Sequence, residues 1–221
     1  MDFDPKSVFV SKYAPSQLSD VVFADDAVEA AIRRYVVGQD LRPLILYGPN
    51  GTGKSTLARL LPIAMEAKTG PSDIHEYNPI LGASPKTAKS ILEGVQYRSL
   101  YGGTKTYILE ELDLFPEKIV NILKCAMDVA EGQVLFIATT NDVNALDKGH
   151  RSRAVCLPIN QPPLERWMLR VKAILDAEGV PIPKKAVLAK MLENSRGDNR
   201  EFLSDLQRYV EIAKSVPMGA D

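Results

Sequence analysis

The sequence has 221 residues, of which 45% are hydrophobic, and its 27 basic and 28 acidic side chains leave a formal net charge of −1 at pH 7. This length and apolar content suffice for one α/β domain, with or without a small satellite domain. The near balance of charge excludes a global field that draws a protein onto a polyanion or an anionic membrane, so any contact with nucleic acid has to be a local surface.

The N-terminus and the two cysteines bear on the compartment. The sequence starts Met1-Asp-Phe-Asp-Pro5, which is acidic where a secretory signal needs a basic start, and no apolar run is long enough to span a bilayer. Cys125 and Cys156 have apolar neighbours and lack metal-site spacing, so we expect small core residues in a reducing environment. The expected location is the cytoplasm, without a membrane partner.

Short apolar runs alternate with longer segments of helical period, a pattern typical of strand-helix units in a parallel sheet. Capping residues and prolines predict helix starts at Asp25 or Asp26, at Ser84-Pro85 and at Pro116. The apolar runs mostly lack polar alternation, which indicates strands covered on both faces. The five predicted strands are Pro43–Tyr47, Ile74–Tyr77, Thr106–Glu110, Val134–Thr139 and Ala154–Ile159.

After Ile159 the strand pattern stops. Asn160-Gln-Pro-Pro163 predicts a linker, because tandem prolines resist both a helix and a ladder. Beyond it the periodicity predicts three helices, Leu164–Glu178, Lys184–Ser195 and Asn199–Lys214. We therefore predict an α/β domain over residues 1–160, with a five-stranded parallel sheet, and a small helical domain over residues 161–221.

A glycine-rich segment follows the first predicted strand. Its spacing, Gly48, four residues, then Gly53-Lys54-Ser55, fits a P-loop between a strand and a helix. There the backbone amides converge on phosphate oxygens, the lysine reaches the β- and γ-phosphates, and the hydroxyl binds magnesium. The alternative is a glycine-rich turn that only caps a helix. The candidate nucleotide-binding residues of this loop are Gly48, Pro49, Asn50, Gly51, Thr52, Gly53, Lys54, Ser55 and Thr56.

Polar side chains follow two further strands. Glu110 ends the third strand and is expected to hold Mg²⁺ through water, and Glu111 to polarise the attacking water. The alternative is an acidic turn ahead of the Pro116 helix. Asn141 follows the fourth strand at the same expected edge of the sheet, where open α/β sheets bind ligands, although a solvated turn asparagine is the alternative.

In this order the motifs resemble those of the AAA+ ATPase subunits of sliding-clamp loaders, namely the replication factor C small subunits and their phage counterparts, over nearly the whole chain. The resemblance is carried by the following segments: Lys12-Tyr13-Ala14-Pro15 through Val22, Glu76-Tyr-Asn78, Glu110-Glu111-Leu112-Asp113 at Walker B, Asn141 at sensor 1, Ser152-Arg153-Ala154 at the Ser-Arg-Cys motif, and Gly197-Asp198-Asn199-Arg200 at sensor 2.

The resemblance implies an ATP- and Mg²⁺-dependent subunit with a helical lid. It implies adenine contacts from Tyr13, Pro15, Val21 and Val22. It also implies that Arg200 touches the γ-phosphate from the lid. Arg153 would act in trans as an arginine finger on a neighbouring subunit's ATP, whereas a surface charge beside Arg151 is the alternative.

Several features depart from the family. Glu110 replaces the usual aspartate, Ala14 an arginine and Ala154 the cysteine. The sequence also ends about where the family's lid domain ends, so the collar that joins the subunits is not expected. A shortened chain, an abbreviated relative that assembles through its ATPase faces, and a protein with a different role all fit this.

The resemblance also implies three partners: other clamp-loader subunits, a sliding clamp and primer-template DNA. Lys86, Thr87 and Lys89 open a helix and are the candidate contacts to DNA phosphate, although a solvated helix start fits equally well. We expect a clamp-loader-like ATPase. The alternatives are a structural subunit that holds nucleotide with little hydrolysis, and a small-molecule kinase or another P-loop ATPase.

Overall fold

The computed structural model describes residues 5–79, 84–97, 99, 102–130 and 134–215. These residues form two compact units. The helical unit contains the described residues up to Ala24, Asn50–Thr52 and those from Asn160 onward, and the sheet unit contains Asp25–Pro49 and Gly53–Ile159. The proposed domain limits of 1–160 and 161–221 stay a prediction.

The sheet unit contains five parallel strands in the order β2-β3-β4-β1-β5. They are β1 Leu44–Tyr47, β2 Asp73–Tyr77, β3 Lys105–Leu109, β4 Val134–Thr140 and β5 Val155–Pro158. Each predicted strand is present with its ends shifted by at most one residue, which confirms the predicted fold class. Because all strands run in one direction, the segments that follow β1, β3 and β4 begin at the same edge of the sheet.

Among the described residues, the sheet unit contains the α-helices α2 Asp26–Val36, α3 Lys54–Thr69, α4 Pro85–Gly94, α5 Glu117–Val129 and α6 Lys148–Arg153. Asp25 is the cap of α2, since its Oδ1 accepts the Val28 amide at 2.9 Å. Ser84 caps α4 in the same way, because its hydroxyl accepts the Thr87 amide at 3.2 Å. The predicted starts of α2 and α4 are thus confirmed.

Alternate residues of the central strands are buried against α4 and α5. Tyr107, Leu109 and Phe136 lie in one core cluster with Ile91 of α4 and Leu123 of α5. Helix α3 packs on β1, β3 and β4, and α2 packs on α3. Both faces of the sheet are thereby covered, as the apolar character of the strands predicts.

The expectation that both cysteines are core residues is wrong for Cys125, which is exposed, while Cys156 is half-buried. Cys125 lies on α5, whose buried side is formed by Ile119, Leu123, Ala126 and Met127. An apolar sequence neighbourhood therefore did not give its orientation, which the helical period sets.

The helical unit contains α1 Pro5–Lys12, α7 Leu164–Glu178, α8 Lys185–Asn194 and α9 Asn199–Ser215. Its core is formed around Trp167 and Phe202, whose ring centroids are 5.1 Å apart. Tyr13 and Val22 pack against this core, so the N-terminal segment belongs to the same unit as the C-terminal helices. None of the described helices is both long and apolar enough to cross a membrane.

Candidate nucleotide-binding site

The glycine-rich loop leaves β1 in a conformation that only glycine adopts without strain. Gly48, Gly51 and Gly53 have φ angles of +144°, +76° and +98°. A Cβ at Gly48 would lie 2.4 Å from the carbonyl oxygen of Ile159. The Gly48 amide donates to the Thr140 carbonyl at 3.3 Å, which ties the start of the loop to the end of β4.

Lys54 is the first residue of α3, and its side chain folds back along the loop. It is buried, and its Nζ donates to the carbonyl oxygens of Gly48 and Pro49, at 2.7 Å each. Ser55 and Thr56 follow in the first turn of α3, whose leading amides lack helical acceptors. A cation beside the N-terminus of a helix forms a site suited to a phosphate chain.

Glu110 and Glu111 follow β3 at the same edge of the sheet. Glu110 is buried, and its amide donates to the Tyr77 carbonyl at 2.9 Å. Glu111 has a φ of +50°, which is uncommon outside glycine, and its amide donates to Thr139 Oγ1 at 3.0 Å. Non-glycine residues in this conformation cluster at functional sites, because the surrounding structure has to hold them there.

Sequence reasoning missed the residues that hold Glu110. Arg59 Nη2 donates to Glu110 Oε1 at 2.8 Å, and Asn78 Nδ2 donates to Glu110 Oε2 at 3.1 Å. Arg59 also binds Glu76. The sequence places Asn78 only at a strand end within a motif, and nothing in the sequence pattern singles out Arg59.

Sequence reasoning also missed the hydrogen bonds that the end of β4 accepts. Thr139 and Thr140 are both 1% exposed, and they accept the amides of Glu111 and Gly48, respectively. Asn141 follows directly and is exposed. The structure thus brings the first residue of the P-loop, the Glu111 backbone and the start of the Asn141 segment together around β4. A pair of threonines at the end of an otherwise apolar strand was the available signal.

Four of the predicted nucleotide contacts lie in the N-terminal segment of the helical unit: Tyr13, Pro15, Val21 and Val22. The Tyr13 hydroxyl donates to Glu178, and the Tyr13 carbonyl accepts from Arg170 at 3.2 Å. Glu178 also accepts from Lys12 at 2.7 Å and from Lys214 at 2.5 Å. These hydrogen bonds lower the pKa of the Glu178 carboxyl to about 2 and fasten the segment to α7 and α9.

Arg200 is the second residue of α9, and the residues before it contact Gly51 and Thr52 within the helical unit. The Asn199 amide donates to the Gly51 carbonyl at 3.0 Å, and its Nδ2 to the Thr52 carbonyl at 3.1 Å. A Cβ at Gly51 would lie 2.0 Å from the Asp198 carboxylate. The Arg200 amide donates to Asp198 Oδ1 at 2.7 Å, which orients the start of α9.

Arg153 does not join the P-loop of its own chain. It ends α6, and Val155 pairs with Leu44 at the amino ends of β5 and β1. Its guanidinium binds the Asp128 carboxylate, and Nη1 donates to the Gly149 carbonyl at 2.9 Å. The length of β1 separates this edge from Gly48, a distance of roughly 13 Å at strand spacing.

The predicted DNA contacts lie on the first turn of α4. Lys86 and Lys89 are exposed, and Lys89 Nζ lies 3.7 Å from Glu93 Oε1. The Thr87 hydroxyl lies 3.1 Å from that of Ser84 in a capping box. Thr87 thus stabilises the helix start, and the two lysines carry the exposed positive charge.

Residues 44–157 match the protein family described as the ATPase family associated with various cellular activities (AAA). That segment is more than half of the chain and contains the P-loop, both glutamates, Asn141 and Arg153. The chain belongs to the AAA family. The matched segment contains the whole of the glycine-rich loop Gly48–Ser55.

The chain is also similar to subunits of replication factor C and of a DNA polymerase. The AAA chain is 27% identical over 219 residues to replication factor C subunit 4 of Caenorhabditis elegans, covering 94% of this chain and 64% of the relative. It is 25% identical to the replication factor C small subunit of Archaeoglobus fulgidus, covering 95% and 66%. It is 20% identical to DNA polymerase III subunit gamma of Buchnera aphidicola, covering 94% and 61%. The chain thus spans about two thirds of the length of these relatives.

Solved structures agree on the fold. The Thermotoga maritima RuvB Holliday junction branch migration motor superimposes with a TM-score of 0.70 at 17% identity, covering 92% of this chain and 67% of that one. A chain of the Escherichia coli MS115-1 HORMA:CdnC:Trip13 complex gives 0.64 at 14% identity, covering 100% and 89%. At these identities the likeness shows the AAA fold alone.

Proposed function

We propose that this AAA chain binds and hydrolyses ATP with Mg²⁺ as a clamp-loader-like subunit in DNA replication, coupling ATP to loading of a sliding clamp on primer-template DNA. The observation that carries the proposal is the attachment of both halves of the site to β4: Thr140 accepts the P-loop amide, and Thr139 accepts the Glu111 amide. ATP hydrolysis requires a phosphate-binding loop and a carboxylate pair at one edge of the sheet, and these two hydrogen bonds support that arrangement.

The donor set suits Mg²⁺. Ser55 offers a hydroxyl and Glu110 a buried carboxylate, both hard oxygen donors. Among the described residues, no three or more His, Cys, Asp and Glu side chains group as a metal cage. This fits an ion that takes one or two protein oxygens and completes its shell with phosphate and water. When bound, Mg²⁺ would neutralise charge on the β- and γ-phosphates.

The protein's own groups then have separate tasks. Lys54 donates to the phosphates in place of the two carbonyls that it now binds, Glu111 orients and polarises the attacking water, and Asn141 holds that water or the γ-phosphate from the end of β4. Arg200 contributes a cation to the γ-phosphate from α9. Tyr13, Pro15, Val21 and Val22 contact adenine.

Arg153 completes the site of a neighbouring copy or homologous subunit. Its position at the amino edge of the sheet, about one strand length from its own P-loop, supports action on a neighbouring site rather than on its own. A finger supplied by a neighbour makes hydrolysis depend on assembly.

The experiment that tests this mixes two inactive variants. Lys54→Ala should abolish nucleotide binding, and Arg153→Ala should bind ATP normally and hydrolyse it at least 100-fold more slowly than the unaltered chain. Mixed together, the first variant donates Arg153 to the sites of the second, so ATPase activity should return. A mixture as inactive as its components would refute action in trans.

The names of the relatives support the replication partners. On α4, Lys86→Glu with Lys89→Glu should weaken binding to primed DNA and flatten its dependence on salt, because phosphate contacts release counterions. The matched control is Lys184→Glu with Lys190→Glu. Both lysines are exposed; Lys184 directly precedes α8, and Lys190 lies on it. Equal binding by both double variants across salt concentrations would remove α4 from the DNA surface.

One observation favours a second function, in which the chain holds nucleotide as a structural subunit with little hydrolysis. Glu110 stands where the family's aspartate is expected, and both of its oxygens already have protein partners. An ATPase assay with primed DNA and a clamp separates the two functions, with Glu111→Gln as the inactive reference. A rate equal to that of Glu111→Gln would favour the structural subunit.

A further inference from the structure

Arg59 joins two carboxylates at the edge of the nucleotide-binding site. It lies five residues after Lys54 on α3, and its guanidinium bridges the ends of β2 and β3. Nη2 lies 2.6 Å from Glu76 Oε1 and 2.8 Å from Glu110 Oε1, and Nε lies 2.9 Å from Glu76 Oε1. One planar cation therefore fixes the distance between Glu76 and Glu110.

Glu110 is held at both oxygens. Arg59 donates to Oε1, and Asn78 donates to Oε2 at 3.1 Å. With 8% of the Glu110 side chain exposed, water supplies few further hydrogen bonds. A glutamate has one more rotatable bond than an aspartate, and ordering it costs free energy. The two donors hold it in one orientation.

The charges of the cluster leave Glu110 able to attract a cation. Arg59 carries one positive charge and faces two carboxylates, so the three groups sum to −1. Three of its four hydrogen bonds go to Glu76. Arg59 thus makes more contacts with Glu76 than with Glu110, and its single positive charge does not balance both carboxylates.

We propose that Arg59 is a positioning residue for Glu110, and that Glu76 prevents Arg59 from competing with Mg²⁺ for the same carboxylate. This rests on the proposed function, in which Glu110 holds the ion. The Arg59–Glu76 pair is then what allows a glutamate to stand in place of the shorter side chain at this position.

Two substitutions separate geometry from charge. Arg59→Lys keeps the positive charge and removes the planar fork, since a lysine ammonium cannot reproduce both the Nε and the Nη2 contacts. Glu76→Gln keeps the shape of the partner and removes its charge. Glu110 is then the one carboxylate of this cluster that pairs with the positive charge of Arg59. Arg33→Lys is the matched control, because Arg33 binds Glu29 on the exposed side of α2.

The experiment titrates Mg²⁺ into the chain bound to a fluorescent ADP analogue, which needs no hydrolysis. Arg59→Lys and Glu76→Gln should each raise the half-saturating Mg²⁺ concentration at least fivefold, with nucleotide affinity in EDTA within twofold of the unaltered chain. Arg33→Lys should change neither value. Circular dichroism melting checks that each variant is folded.

Glu110→Ala distinguishes a failure of the positioning role from a failure of the magnesium assignment. If Glu110→Ala raises the Mg²⁺ requirement and the Arg59 and Glu76 variants do not, the positioning role is overturned and the magnesium site stands. If Glu110→Ala also leaves the requirement unchanged, Glu110 does not hold the ion, and the magnesium assignment in the proposed function falls together with this inference.

Discussion

Thr139→Val tests whether the end of β4 holds Glu111 in place. The substitution keeps the shape of the buried side chain and removes the hydroxyl that accepts the Glu111 amide at 3.0 Å. Without that hydrogen bond we expect Glu111 to leave its φ of +50° for an ordinary backbone conformation. Its carboxylate would then move away from the water that we propose it orients.

The expected loss of stability follows from the lost acceptor. An amide left without a partner in a part-buried position costs about 1–2 kcal/mol. Thr106→Val is the matched control, because Thr106 is fully buried on β3 and its Oγ1 has no hydrogen-bond partner among the described residues. Removing that hydroxyl removes a buried polar atom without breaking a bond, so its effect should be neutral or stabilising by up to about 1 kcal/mol.

Urea unfolding gives the two free energies, and a steady-state ATPase assay gives kcat. We expect Thr139→Val to lower kcat at least tenfold while ATP affinity changes less than threefold, and Thr106→Val to leave both unchanged. The reasoning is refuted if Thr139→Val retains full kcat, or if the two substitutions destabilise the protein equally.

Three further predictions concern stability and pH. Gly48→Ala should destabilise the protein by about 3 kcal/mol in urea unfolding, because its Cβ would meet a backbone oxygen. Gly53→Ala should cost about 1 kcal/mol, because its Cβ would meet nothing within 4 Å. Equal costs would contradict the steric argument. Glu178→Gln should lower the free energy of unfolding at pH 7 by about 1–2 kcal/mol. Because the pKa of Glu178 is lowered from 4.5 to about 2, this difference should shrink as the pH falls below about 4.5 and vanish near 2, and a difference that stays constant to pH 2 would rule out the carboxylate as its source.

Features that depend on neighbouring residues were predictable from the sequence. The P-loop needs only a strand, glycines at a fixed spacing and a helix start, and the caps at Asp25 and Ser84 act within one helical turn. The strand order was not predicted, since apolar runs do not say which strands are neighbours.

The contacts that complete the site join distant parts of the chain. Arg59 and Glu110 are 51 positions apart, Glu111 and Thr139 are 28 apart, and Tyr13 and Glu178 are 165 apart. Each depends on which strands and helices the fold makes adjacent, and a surface arginine in a helix has no local pattern that names its partner. The structure was needed to find Arg59 and the two threonines.

If Arg153 acts in trans as proposed, its position determines how many complete sites an assembly contains. A subunit that gives its arginine from one edge of the sheet and receives another at the opposite edge contacts its neighbours head to tail, through two different surfaces. A row of such subunits has polarity: its last member has a P-loop that no arginine reaches, and its first member has an arginine without a recipient. An open arc therefore always contains one fewer complete site than subunits, and only closure into a ring makes the two numbers equal.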